Sequence, residues 1–144
     1  MTDYRLIHFN CARPKDNFSP ENEFIKIFIS VLPRIFSDGD AYEHLHWHMH
    51  GIRQQDGTWK DIDKVFPHDP KLPTPDICTM GGWSSLDGMR EFVYTGRTHP
   101  PGMRRLQEQL DRSDGASFVM WWAPREARFT IQDGWDKLVH LRKN

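Results

Sequence analysis

Glu43-His44-Leu45-His46-Trp47-His48-Met49-His50 places a histidine at every second position, half of the eight in the chain. Consecutive side chains of an extended strand point to opposite faces. A strand here therefore puts His44, His46, His48 and His50 on one face, and Leu45, Trp47 and Met49 on the other. An apolar face of that kind packs against helices. The opposite face then carries four groups able to donate, accept or ligate near neutral pH. The pattern predicts a strand over about 41–53, followed by the Asp56-Gly57 turn signal.

Upstream, Tyr4 to Cys11 reads as a first strand, with Ile7, Phe9 and Cys11 on one face and Leu6, His8 and Asn10 on the other. Ser19-Pro20-Glu21 is a helix start, a capping hydroxyl followed by proline at the first helical position. Phe24, Ile25, Phe28, Ile29 and Leu32 recur at helical spacing. Pro33 is expected to bend or end this helix, and Ser37-Asp38-Gly39-Asp40 to form a turn.

Downstream, Lys60 to Pro75 is a long proline-bearing connection, of the kind that often serves as a lid or binding loop. Asp76 to Trp83 predicts a third strand, with Gly81-Gly82 permitting a bulge or close approach. Ser84 begins a helix with Asp87 as capping partner and Leu86, Met89, Phe92 and Val93 as its apolar face. Pro100-Pro101 opens a further helical piece with Met103, Leu106 and Leu110. Ser117 to Ala123 is a last strand, and Thr130 caps a closing helix with Ile131, Trp135, Leu138 and Val139.

The order β-α-β-β-α-(α)-β-α is an α+β arrangement, the ferredoxin-like split βαβ with a four-stranded antiparallel sheet and an extra C-terminal helix. With helices on one face only, the bare face calls for a second copy, sheet against sheet. A homodimer is the expectation, with residues 1–144 forming one domain.

The bulk composition narrows the function classes. A net charge of −1 leaves no electrostatic footprint for nucleic acid or an anionic membrane. Cys11 and Cys78 belong to no metal spacing and read as buried free thiols of a reducing compartment. With neither a leader nor a long apolar run in the sequence, a soluble cytoplasmic protein is expected. Phosphate loops, serine-nucleophile elbows, CxxC pairs and dinucleotide fingerprints are missing from the sequence.

Several segments together resemble the DUF3291 family. Ile7-His8-Phe9-Asn10-Cys11-Ala12-Arg13 is similar to its opening Phe-Asn-Ile-Ala-Arg pattern. Trp83-Ser84-Ser85-Leu86-Asp87, then Phe92-Val93-Tyr94 and His99, resemble its Trp-Glu-Ser helix, Phe-Val-Tyr and histidine signature. Val119-Met120-Trp121-Trp122-Ala123-Pro124 is similar to its Leu-Trp-Trp-Val-Pro strand. The resemblance implies a dimeric α+β barrel related to antibiotic-biosynthesis monooxygenases, and no particular chemistry. The chain departs from the pattern where the family has a Gly-Phe-Val-Trp-Arg-Leu type of strand: the apolar positions agree, and the histidines are new. Thr79 stands where an asparagine is expected, and Gln109-Leu110 replaces a Trp-Phe pair.

On such a fold the histidine face would line the barrel interior, as a wall for proton transfer or metal binding. His46 and His48 are the expected pocket members, with His44 and His50 at the rims. The alternative is an exposed or dimer-contact strand whose histidines are only hydrogen-bonded. Imidazole suits several transition metals, but four in-line histidines spread over about 20 Å, too far for one ion. A metal would have to combine His46 and His48 with His99, His8, Glu43 or a symmetry mate. His99 occupies a place like that of the proximal histidine of haem-degrading relatives, by fold analogy; it could equally be a cap before Pro100 or a metal-free acid or base. His8 and Asn10 could orient a substrate carbonyl, Arg13 and Arg97 could neutralise an anion, and Trp83 and Trp121 could wall an aromatic ligand.

The expected function is therefore a small-molecule enzyme of specialised metabolism. His46, His48 and His99 would do general acid–base work on an enolisable or phenolic substrate without a cofactor. The outcome could be cofactor-independent monooxygenation, or a cyclisation, dehydration or isomerisation. A haem- or divalent-metal-dependent enzyme and a non-catalytic binding protein are the alternatives.

Overall fold

The computed structural model describes residues 3–15, 23–61, 75–95, 111 and 113–143. Strand β1 (Tyr4–Ala12) is followed by α1 (Glu23–Ala41), β2 (Leu45–Arg53), β3 (Trp59–Lys60) and β4 (Ile77–Trp83). Helix α2 (Leu86–Arg90) continues into a π-helical turn, Glu91–Thr95; β5 (Phe118–Pro124) and α3 (Ile131–Lys143) complete the chain. All strands join one antiparallel sheet in the order β3-β2-β4-β1-β5. Without β3, this is the ferredoxin-like order that the split βαβ reading predicts. The fifth strand is an addition: Gly57, at φ 86°, closes a tight hairpin that returns Trp59 and Lys60 alongside Ile52 and Arg53.

The ladder registers sort the sheet into two faces. Ile7, Phe9 and Cys11 of β1 share a face with Cys78 and Met80 of β4 and with Val119 and Trp121 of β5. They form the larger core, closed by Leu138, Ile131 and Trp135 of α3. Leu6 and Trp83 lie on the other face with Leu45, Tyr42, Met89, Phe92 and Val93, under α2. The expected one-sided helix layer is thus corrected. α3 covers the face opposite α1 and α2, so the sheet does not need a partner's sheet to bury that core.

Helix α1 also differs from expectation. It runs through Pro33, which is exposed, and ends only at Ala41, so Ser37-Asp38-Gly39-Asp40 is helical rather than a turn. Close packing accounts for this: a Cβ on Gly39 would lie 3.1 Å from Leu45 Cδ2, so glycine lets the last turn rest on β2. Of the predicted apolar stripe Leu32 is buried; the side chains of Phe24, Ile25, Phe28 and Ile29 lie outside the described residues, as does the Ser19-Pro20 start. Most of the proline-bearing connection and the segment 96–110, with Arg97, His99 and the Pro100-Pro101 helix, also fall outside them.

The caps follow local chemistry. Ser85, not Ser84, caps α2, its hydroxyl accepting from Gly88 N at 3.0 Å. Thr130 and Asp133 make a reciprocal capping box on α3: Asp133 N donates to Thr130 Oγ1 and Thr130 N to Asp133 Oδ2. Among the described residues, no helix is long and apolar enough to cross a membrane.

Candidate functional site

The histidine strand is not a uniform comb. Leu45 pairs with Trp83 and Trp47 with Gly82, so one extra residue, His46, is accommodated between them as a bulge. From Trp47 onward the phase is shifted. Trp47 and Met49 point to the α3 side, whereas His48 and His50 share with Leu45 the face beneath α1 and α2. The sequence expectation that all four histidines share one face and that Leu45, Trp47 and Met49 share the other is therefore corrected: Leu45 lies on the α2 side, and Trp47 and Met49 on the α3 side. The double glycine accommodates the arrangement. Trp47 lies against Gly82, where an added Cβ would come 2.5 Å from its Cε2; Trp83 lies against Gly81, where one would come 2.9 Å from its Nε1.

Between this face and the helices is a cavity of about 120 Å³. Its polar wall is His8 and Asn10 of β1, Thr79 of β4 and His48 of β2; its apolar wall includes Ile35, Phe36, Leu45, Trp83, Phe92 and Val93. His8 and His48 are both register partners of Gly81, from opposite sides. With about 4.8 Å between neighbouring strands, their backbones stand roughly 10 Å apart, and the side chains over the intervening Gly81 are those of Trp83 and Leu45. Thr79 Oγ1 donates to Asn10 Oδ1 at 2.6 Å, one register step away. An amide thus enters the cavity from β1, held by the threonine that departs from the family pattern.

The two cavity histidines differ in environment. His8 is 7% exposed and has no hydrogen-bond partner among the described residues; it tilts against Phe118 at 5.8 Å between ring centroids. Burial lowers its pKa to about 4, so at neutral pH it is an uncharged imidazole. His48 Nε2 lies 2.6 Å from Asp40 Oδ1, on the last turn of α1. When the ring is neutral, donation from Nε2 to that carboxylate leaves the lone pair on Nδ1. Phe36, also on α1, stacks on His50 (4.4 Å, 10°) and on His48 (5.8 Å, 17°).

The remaining expected site residues lie elsewhere. His46 is exposed on the bulge, 2.6 Å from Ser84 Oγ, and is not a cavity residue. Burial, followed by Arg5, Arg125 and His44, lowers its pKa. His44 belongs to the turn before β2, where it accepts the Ser84 N–H through its carbonyl and meets Tyr42 edge-on. Trp121 is on the α3 face, against Phe129 and beneath Lys137 Nζ, so it cannot wall this cavity. Arg13 is bound to Asp76 at 3.1 Å and Asp114 at 2.5 Å, which leaves its charge occupied. Trp83 does line the cavity. Asp40 and Phe36 escaped sequence reasoning because their stretch read as a turn or the end of a helix. Gly81-Gly82 carried a usable signal, a pair expected to permit a bulge or close approach, and Trp83 and Trp47 do approach them closely.

A family model described as "Domain of unknown function (DUF3291)" matches residues 5–144. The chain belongs to the DUF3291 family. No curated protein matches it in sequence. Among solved structures, this DUF3291 chain is similar to a variant of SnoaB, described as a cofactor-independent oxygenase from Streptomyces nogalater. The identity is 12%, the coverage 89% of this chain and 98% of that one, and the TM-score 0.48. A second SnoaB structure gives 16%, 90%, 97% and 0.45. A dimeric protein of unknown function and ferredoxin-like fold from Bacteroides fragilis gives 13%, 83%, 95% and 0.47.

As for metals, no three His, Cys, Asp or Glu side chains gather as a ligand set among the described residues. The weak combination of His46, His48 and His99 is divided by the bulge, with His46 outside the cavity and His99 outside the described residues. Cys11 and Cys78 are free, buried and directly paired across β1 and β4. Burial, then a hydrogen bond from Cys11, pushes the Cys78 thiol upward, away from a nucleophilic thiolate.

Proposed function

We propose that this DUF3291 protein is a small-molecule enzyme whose cavity histidines carry out general acid–base chemistry on an enolisable or phenolic substrate. The observation that carries the reading is the pair His8 and His48, register partners of Gly81 from opposite sides and lining one cavity, with Asp40 behind His48. His48 Nδ1 takes the acidic C–H or O–H proton, and Asp40 stabilises the imidazolium that forms. Neutral His8 donates its ring N–H to the developing enolate or phenolate oxygen, and the Asn10 amide is within the same polar wall. A positioned base of this kind contributes on the order of 10²- to 10⁴-fold.

The resulting anion has two fates. It can pass an electron to dioxygen and recombine with it to a hydroperoxide, which loses water together with a second hydrogen of the same carbon and leaves one oxygen as a carbonyl, the substrate itself supplying the electrons. Or it can be reprotonated, dehydrated or cyclised with no redox change. The protein acts as a homodimer in the cytoplasm under this reading, its assembly independent of the core that α3 already closes.

Deuterium exchange from heavy water into cyclohexanone, followed by proton NMR, tests the chemistry without knowledge of the natural product. Wild-type protein is expected to accelerate exchange, and His48→Ala to lose on the order of 10²-fold while remaining folded. No acceleration by the wild type, or an unchanged rate in His48→Ala, overturns the assignment.

A further inference from the structure

We infer that the ligand of this cavity is an uncharged molecule of a single six-membered ring bearing one phenolic or ketonic oxygen. This deepens the acid–base reading and rests on it for the role of the oxygen, but size and charge follow from the cavity itself.

Size comes first. The cavity is partly open and holds about 120 Å³, somewhat less than the closed apolar cavity of about 150 Å³ that takes up one benzene ring, so it has room for no more than one ring. His8 lines one end of it and also borders the neighbouring hollow bounded by Leu86, Arg90, Glu91 and Met120. Phe36, Trp83 and Phe92 offer flat apolar surfaces to a ring.

Charge comes second. Among the described residues the lining contains no Asp, Glu, Lys or Arg. A buried carboxylate or ammonium would lose its hydration with no counter-charge to meet it. Asp40 worsens the case for an anion, since its carboxylate lies directly behind His48. A neutral oxygen, by contrast, meets polar hydrogens from His8 and Asn10 at the one polar wall. Once His48 removes a proton, the ring anion and the imidazolium form as a pair, so the net charge of the site does not change.

The test is an NMR titration of the wild-type protein with phenol, cyclohexanone, 1-naphthol, benzoate and cyclohexylammonium, reading the His8, His48 and Trp83 ring signals. Phenol and cyclohexanone are expected to shift these signals and to bind at least tenfold more tightly than the two ions and than 1-naphthol. Equal or tighter binding of benzoate, cyclohexylammonium or 1-naphthol overturns the inference, as does failure of both neutral monocycles to perturb the three rings. Ile35→Trp, which fills the cavity from α1, should abolish the shifts; unchanged binding in that variant, if folded, also overturns it. Phenol binding without proton exchange would remove the acid–base reading alone, and exchange on a bicyclic or charged substrate would remove the ligand class alone.

Discussion

His8 and His48 face one cavity because each is the register partner of the same residue, Gly81, on the strand between them. Neither is near the other in sequence. Gly81→Ala would place a Cβ 2.9 Å from Trp83 Nε1 and 3.0 Å from Leu45 Cδ1, both packed beneath α2. The substitution should destabilise the fold by about 1–3 kcal/mol through overpacking and reduce phenol binding. Urea unfolding checks the first effect and NMR titration the second; an unchanged midpoint would show that Trp83 can turn aside.

The His8 environment predicts a pH dependence of stability. In the unfolded chain this imidazole takes up its proton near pH 6.5, in the fold only near pH 4. Between those values the unfolded state binds more protons, so stability declines as pH falls, by about 3 kcal/mol in total from this group. Above the unfolded value it contributes no slope. His8→Phe should flatten urea midpoints measured between pH 7 and 4; an equally steep loss in the variant would place the cause elsewhere.

Asp40 is a positioning residue, and its effects on stability and rate should separate. Its side chain is 73% exposed, so Asp40→Asn should change stability by less than about 1 kcal/mol. Proton exchange into cyclohexanone should nevertheless slow by between about 10- and 100-fold, a part of what a positioned base supplies. The pH–rate profile should move with it, and ¹⁵N signals of His48 should lose their Nε2–H preference. His46→Ala, which removes the contact to Ser84, should leave the rate unchanged and alter stability by about 1 kcal/mol or less. A rate loss in His46→Ala would reinstate the bulge residue as part of the chemistry.

Gly134 tests the opposite face. Helix propensity alone favours Gly134→Ala in α3 by about 1 kcal/mol. An added Cβ would instead lie 2.7 Å from Phe9 Cγ, in a ring that is fully buried. Net destabilisation of about 1–3 kcal/mol is expected, read as a fall in melting temperature. Stabilisation would mean that the α3 packing on β1 is looser than described.

Much of the fold was legible in the sequence. The alternation Leu6-Ile7-His8-Phe9-Asn10 assigned both faces of β1 correctly, because each position depends only on its neighbours. Thr130 marked the start of α3, and the structure adds its reciprocal capping contact with Asp133. The candidate site was legible only in part. His8, Asn10, His48 and Trp83 were named and line the cavity; His46 was named and does not. The difference is the bulge, which leaves no mark within the alternating stretch itself. It follows from the way Trp47 and Trp83 occupy opposite sides of Gly82 and Gly81.

The sequence by itself determined the order of the four long strands and of α1, α2 and α3, the apolar alternates and the presence of an imidazole-rich strand. Those features are written in local periodicity and capping. Only the tertiary structure decided which histidines meet the helices, that Asp40 backs His48, and that α3 closes the other face. These depend on strand register and on which helix lies over which row. A one-residue slip in register reverses the direction of every later side chain, and nothing local to Glu43–His50 records it.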